Sequence, residues 1–189
     1  MQVIITRIMH SMMIAQQETK MTAKNNQSPK TYQLHPIGYV HASDAEGSYT
    51  LQIEEPYRPA LKQMEQFSHI LIFWWADKMD TEQYRNIMTT ELPYAPGVEA
   101  GVFACRSEYR PNPIAVTTMM VLSVDVENGV VTLPWIDAFD GTPVLDLKPY
   151  IPISDRIRDY HVAEWATDWP EWMEDAAEYF AEHATDFGD

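Results

Sequence analysis

The stretch that decides the fold is FSHILIFWWAD, Phe67–Asp77. Its centre, ILIFWWA, is unbroken apolar sequence rich in β-branched and aromatic residues. It is far shorter than the roughly 18–20 residues that span a bilayer. Such a run reads as a central strand with both faces apolar. Side chains alternate along a strand, so Trp74 and Trp75 point to opposite faces and at most one of them reaches a pocket. His69 opens the strand and reads as the maker of a local hydrogen bond. Asp77 and Lys78 fall just past its end, where ligand-contacting groups commonly sit on loops.

Working outward, the pattern stays strand-like. YQLHPIGYVH (from Tyr32) reads as a short strand interrupted by Pro36, hence an edge or a strand start. SYTLQIEE alternates Tyr49, Leu51 and Ile53 with Thr50, Gln52 and Glu54, a half-buried strand. PYRPALKQMEQF predicts a short helix, and MDTEQYRNIMTTELPYAPG a loop or short helix. GVFACRS, PIAVTTMMVLSVDVENG and VVTLPWIDAFDG predict three strands, with ENG (Glu127–Gly129) as a hairpin turn. DGTPVLDLKPYIP is punctuated by Pro and Gly and reads as extended and irregular. There is no repeat and no β-α-β alternation. A mainly β chain follows, a compact barrel or strongly curved sheet with short helices.

Three segments are expected: a flexible extension over 1–31, a β domain over 32–155, and an acidic, Trp-rich helical tail over 156–189. In the tail, Asp168 can cap a helix, Pro170 sits near its first position, and Trp172 and Phe180 would face inward.

Composition narrows the function. The 189 residues are 46% hydrophobic and carry a formal charge of −15. That charge opposes a broad non-specific grip on nucleic acid. Between Tyr32 and Asp168 there are 9 Lys and Arg against 20 Asp and Glu; a local basic patch would have to come from Arg106, Arg110, Arg156 and Arg158. The single cysteine, Cys105, excludes a disulfide framework, and the six histidines include no H-E-x-x-H. Cys105 continues an apolar run and reads as a buried thiol, though neighbouring Arg106 could lower its pKa. No signal peptide or membrane span is legible, so the cytoplasm is the expected compartment.

Glycine-rich phosphate cradles and G-x-S-x-G are absent. Chemistry concentrates in two further stretches. In RSEYRPNPIAV (Arg106–Val116), Pro111 and Pro113 remove two backbone donors and force an extended corner. Arg106 and Arg110 offer planar forks for a carboxylate or phosphate. On these residues alone, structural pairing and ligand binding stand level. In WIDAFDGTPVLDLKPYIP (Trp135–Pro152), Asp137, Asp140 and Asp146 could hold a hard cation, but the spacing is not that of an EF-hand, and no metal is expected.

The order and wording of FSHILIFWWADKMD, GVFACRSEYRPNPIAV and IDAFDGTPVLDLKPYIP resemble the TsaA-like (YaeB-like) family, whose members include TrmO-type tRNA methyltransferases. The resemblance covers about Tyr32 to Pro152. It implies a single-sheeted β-barrel, a homodimer, S-adenosylmethionine as methyl donor, and methylation of N6 of threonylcarbamoyladenosine at position 37 of tRNA. Position by position, it implies cofactor contacts for Asp77, Lys78, Arg106, Val116, Trp135, Ile136, Asp137 and Ala138. Arg110, Asn112 and Asp140 fall at the pocket wall or a dimer contact, and the resemblance assigns no catalytic base. HASDAEGSYT, after the first strand, lacks the Pro-Arg-Gln element common in the family, Ala115 replaces a usual Gly, and the acidic tail stands where longer members have a further domain. A small-molecule methyltransferase and a non-catalytic binding module are the alternatives.

Overall fold

The structure is a computed structural model and describes residues 30–183. The chain divides into two compact units, 1–34 and 35–189. Most of the first, including nearly all of the expected N-terminal extension, lies outside the described residues.

The second unit is built on nine strands: β1 (Gly38–Ser43), β2 (Ser48–Ile53), β3 (His69–Trp75), β4 (Thr89–Glu91), β5 (Glu99–Gly101), β6 (Ile114–Met120), β7 (Ser123–Asp125), β8 (Val130–Leu133) and β9 (Pro143–Pro149). Seven form one antiparallel sheet in the order β6-β3-β9-β1-β2-β8-β7, while β4 and β5 make a separate hairpin. Helices are short: α1 (Glu82–Arg85), α2 (Pro152–Asp155), α3 (Ala176–Glu182) and several 3₁₀ turns.

Alternation explains the core. Ile70, Ile72 and Trp74 of β3 are buried while Leu71, Phe73 and Trp75 are half-buried. Val40, Leu51, Ile53, Val131, Leu133 and Val144, from four other strands, join the same cluster. With only short helices to cover it, this sheet buries its apolar face by curling over it. The chain shows how far it curls: the sheet's two edges, β6 and β7, are consecutive, with only Val121 and Leu122 between them. Val121 N–H still bonds Ser68 O beside β3 (2.8 Å), whereas Leu122 N–H bonds Thr132 O of β8 (2.9 Å). One long run of chain thus changes partner at this point. Among the described residues no ladder pairs β6 with β7, so the expected closed barrel is, at the level of strand pairing, an open and curled sheet.

Several sequence expectations change. The 143–149 segment, expected to be irregular, is β9, inserted between β3 and β1. Its prolines stand at the two ends, where a missing N–H costs little, and a bulge opposite Phe73 and Trp74 absorbs one residue. Asp146 and Lys148 share a face and pair at 2.5 Å. GVFACRS contributes only its first residue to strand: β5 ends at Gly101, and Ala104 N–H turns back to Gly101 O (2.7 Å). The helix expected over 56–67 is a pair of 3₁₀ turns, with Pro59 inside the first and Gln63 at φ 71° before the second. The hairpin at Glu127–Gly129 forms as expected, with Gly129 at φ 72°. The tail helix begins later than its cap residues suggest, at Ala176, and residues 184–189 lie outside the described chain.

β1 meets both β2 and β9 at Gly38. A Cβ there would run into Gln52 O and lie 2.9 Å from Ile53 Cα. Gly38→Ala should therefore lower stability by about 1–3 kcal/mol in chemical denaturation, with the strands forced apart.

Candidate active site

The antiparallel pairing of β3 with β6 sets the end of one beside the start of the other, Trp75 opposite Ile114. Ala76 N–H then bonds Pro113 O (2.8 Å). Asp77 and Lys78 follow in a 3₁₀ turn at this end. The double-proline corner thus lies against the loop that follows the central strand.

Arginines hold the corner. Prolines leave carbonyls without matching N–H groups, and such carbonyls need donors. Arg85 Nη1 donates to Pro111 O (3.1 Å), and its Nε pairs with Asp80 at 2.5 Å. Asp80 also accepts from Trp75 Nε1 (3.0 Å). One arginine therefore ties the end of β3 to the corner. Arg110 Nη2 donates to the carbonyls of Val102 and Cys105, the latter at 3.0 Å. Arg110 thus grips backbone carbonyls rather than a carboxylate, while its Nε is buried without a hydrogen-bond partner.

The loop after β8 joins through a second chain of bonds. Trp74 Nε1 donates to Thr117 Oγ1 (3.0 Å), and Thr117 donates in turn to Asp137. Ile136 and Ala138 are buried and Trp135 is exposed, so the loop is anchored by alternate residues and presents Trp135 and Asp137. Val116 lies mid-strand in β6, opposite Phe73. Three stretches distant in sequence meet here.

Beside them opens a cleft of about 410 Å³, walled by the turn after β4 and by Cys105–Tyr109. Arg106 lines it, exposed and without an ion pair or hydrogen bond among the described residues. Tyr109 lines it too and stacks on Tyr84 at 4.8 Å. Glu108, half-buried in the same wall, has its carboxyl raised above the usual range, first by burial and then by Asp137. Sequence reasoning passed over Glu108; the signal available was an acid set between two arginines in an otherwise ligand-like stretch. Cys105 is half-buried, outside any strand.

Asp77 Oδ1 is buried with no hydrogen-bond partner, although its other oxygen lies 3.6 Å from Lys78 Nζ. Asp140 faces elsewhere: it accepts from Ala42 N–H (3.2 Å) and lies 3.6 Å from His41 at the end of β1. Asn112 is exposed, its carbonyl accepting from Ile114 N–H (2.7 Å). The four arginines once considered for a basic patch do not assemble. Arg110 grips carbonyls, and Arg156 and Arg158 line a separate cavity of about 710 Å³. Arg156 stacks on Trp172 at 4.5 Å.

The tail reaches the cleft through aromatics. Tyr94, on the cleft wall, packs on Trp165 (5.4 Å) and Trp169 (5.2 Å), and Trp169 meets Phe180 edge-on. The inward anchors are thus Trp165 and Trp169, while Trp172, expected inside, is 47% exposed.

Comparison with known proteins agrees with this architecture. The model of the tRNA-methyltransferase O N-terminal domain matches residues 26–156. An S-adenosyl-L-methionine-binding protein of Archaeoglobus fulgidus is 35% identical over 136 residues, 66% of this chain and 93% of the relative. A tRNA (adenine(37)-N6)-methyltransferase of mouse is 40% identical over 103 residues, 54% of this chain but only 23% of the longer relative. The crystal structure of TrmO from Pseudomonas aeruginosa superposes with a TM-score of 0.58 at 27% identity, covering 84% of this chain and 76% of that one. The fold is shared with that crystal structure. The chain belongs to the tRNA-methyltransferase O N-terminal domain family.

The latch at Asp80 gives a pH test. Arg85, and after it the Trp75 indole, hold its carboxyl below the ordinary value against some desolvation. A depressed folded pKa stabilises above the unfolded pKa, about 3.9, and that stability is lost as pH falls through the folded value. Both side chains are partly exposed, so the effect is about 1 kcal/mol or less. Asp80→Asn should flatten the acid limb of the stability curve below about pH 4, read by urea melts across pH.

Proposed function

We propose that this protein is an S-adenosylmethionine-dependent methyltransferase acting on N6 of an adenine in tRNA. The observation that carries the reading is that two stretches held together by the Ala76 N–H to Pro113 O bond carry an unengaged cation, Arg106, and an unengaged buried acceptor, Asp77 Oδ1. Arg106 is free to take the methionine carboxylate, as a planar fork does well. Asp77 Oδ1 needs a donor, which a ribose hydroxyl or an amino group would supply, because a buried acceptor left unpaired is costly. Asp137 places negative charge where a sulfonium is favoured. Trp135 offers an exposed aromatic face beside it. These residues fit the cofactor, which when bound supplies an activated methyl group on positively charged sulfur.

The chain's part in the reaction is positioning. Arg85 and Arg110 hold the corner rigid, Thr117 fixes the Asp137 carboxylate, and Tyr109 and Tyr94 wall the cleft against water. Most of the rate gain in an in-line transfer comes from such alignment and desolvation. No metal is invoked. The names of the mouse and archaeal relatives support the donor and the acceptor. The run of β6 directly into β7 supports reading the curled sheet as a single-sheeted barrel. A homodimer in the cytoplasm completes the proposal.

A second reading, a small-molecule acceptor, draws on one observation. Residues 164–183 carry seven Asp and Glu and no Lys or Arg, and they dock beside the cleft through Tyr94.

Calorimetry with S-adenosylmethionine should give saturable heat, and Arg106→Ala should weaken binding on the order of 10–100-fold, the worth of a charged hydrogen bond. No detectable binding at millimolar cofactor leaves a non-catalytic module. Tritium counting of total tRNA incubated with labelled cofactor separates the acceptors. Label in tRNA supports the leading reading, and label confined to small molecules supports the second.

A further inference from the structure

Most charges near the site are engaged. Arg85 holds Asp80, Arg110 holds two carbonyls, Lys78 lies by Asp77, and Lys148 pairs with Asp146. Arg106 and Glu108 are the charged side chains of the cleft wall without a partner among the described residues, and of the two only Glu108 is half-buried. It is half-buried, and among the described residues its side chain has no hydrogen bond or ion pair. Burial of a carboxylate without a partner is unfavourable. A second carboxylate, Asp137, stands near enough to add repulsion. Arg106, two residues away, lines the same cleft.

We propose that Glu108 is the proton acceptor of the methyl transfer, facing the acceptor nitrogen across the cleft from the group that Arg106 and Asp137 hold. The inference rests on the methyltransferase reading. The lone pair of the acceptor nitrogen forms the new bond to the methyl carbon. The carbon–sulfur bond breaks and its pair goes to sulfur. The nitrogen's proton passes to the Glu108 carboxylate and on to solvent. Other titratable groups at the cleft are Glu91, Tyr94, Cys105, Arg106 and Tyr109, with Asp137 beside it. Glu91 accepts from Gly97 N–H (3.2 Å) and closes its own loop. Tyr94 is held protonated by burial, ahead of the influence of Cys105. A carboxylate raised by burial is, once ionised, a better base than an exposed one.

Glu108→Gln should leave S-adenosylmethionine affinity by calorimetry within about twofold and KM little changed, and lower kcat on the order of 100-fold or more. Because the ionised form is active, wild-type kcat should rise with pH through a value above the ordinary glutamate range, and that limb should vanish in the variant. Glu108→Asp should recover part of kcat and the limb. A readout free of turnover is carbon-13 NMR of labelled glutamate carboxyls: one resonance should titrate high, be missing in Glu108→Gln, and move to lower pH in Asp137→Asn. A Glu108→Gln enzyme with wild-type kcat overturns the base role and leaves the methyltransferase reading intact. Loss of cofactor affinity in step with kcat, or no recovery in Glu108→Asp, also overturns it. A wild type that binds cofactor but transfers no methyl overturns the underlying reading, and the base role with it.

Discussion

Donors aimed at the carbonyls of a proline corner organise this protein. Pro111 and Pro113 deprive Arg106–Val116 of two N–H groups; Ala76 and Arg85 donate to its Pro113 and Pro111 carbonyls from neighbouring elements, and its own Arg110 grips the carbonyls of Val102 and Cys105 just before it. Because Arg85 also holds Asp80, and Asp80 holds the Trp75 indole, the end of the central strand and the corner become one rigid body. A rigid corner is what allows Arg106 and Glu108, on the same short segment, to face one cleft in fixed relation. Remove the grip and the segment is an open loop with exposed carbonyls.

The same logic separates two kinds of charge in a strongly acidic chain. Paired or carbonyl-bound groups build the scaffold. Arg106 and Glu108, on one cleft wall, have no partner among the described residues, and one oxygen of Asp77 and Arg110 Nε are buried without one. Their availability is more informative than the net charge, which acts over the whole surface and is screened beyond about 10 Å at ordinary salt. The acidic tail acts locally instead. It packs Trp165 and Trp169 on the cleft's Tyr94 and brings an acidic segment beside the cleft wall.

Much of the sheet was legible because strand alternation is a local property. The apolar run of β3 declared a central strand, the alternation of Tyr49, Leu51 and Ile53 declared one face of β2, and Gly129 the hairpin between β7 and β8. β9 was missed because Pro143, Pro149, Asp146 and Lys148 hide a strand whose charged face is made acceptable by an ion pair and by Phe73, over which Lys148 sits at 5.6 Å. The β4–β5 hairpin was missed because three-residue strands leave almost no periodic signal. Asp140 looked like a member of the site by its place in the sequence, yet its hydrogen bond runs to β1.

By itself the sequence determined the class of fold, the corner and the residue types that could meet a cofactor, since φ restriction, alternation and side-chain chemistry are carried by each residue and its neighbours. Only the tertiary structure decided which charges are free. Partnership is a matter of distance across elements: Arg110 and Arg106 are chemically alike and four residues apart, yet one is bound to the carbonyls of Val102 and Cys105 and the other opens on the cleft. Glu108 became visible for the same reason. Its burial, its lack of a partner and its nearness to Asp137 exist only once β6 lies between β3 and the loop that follows β8.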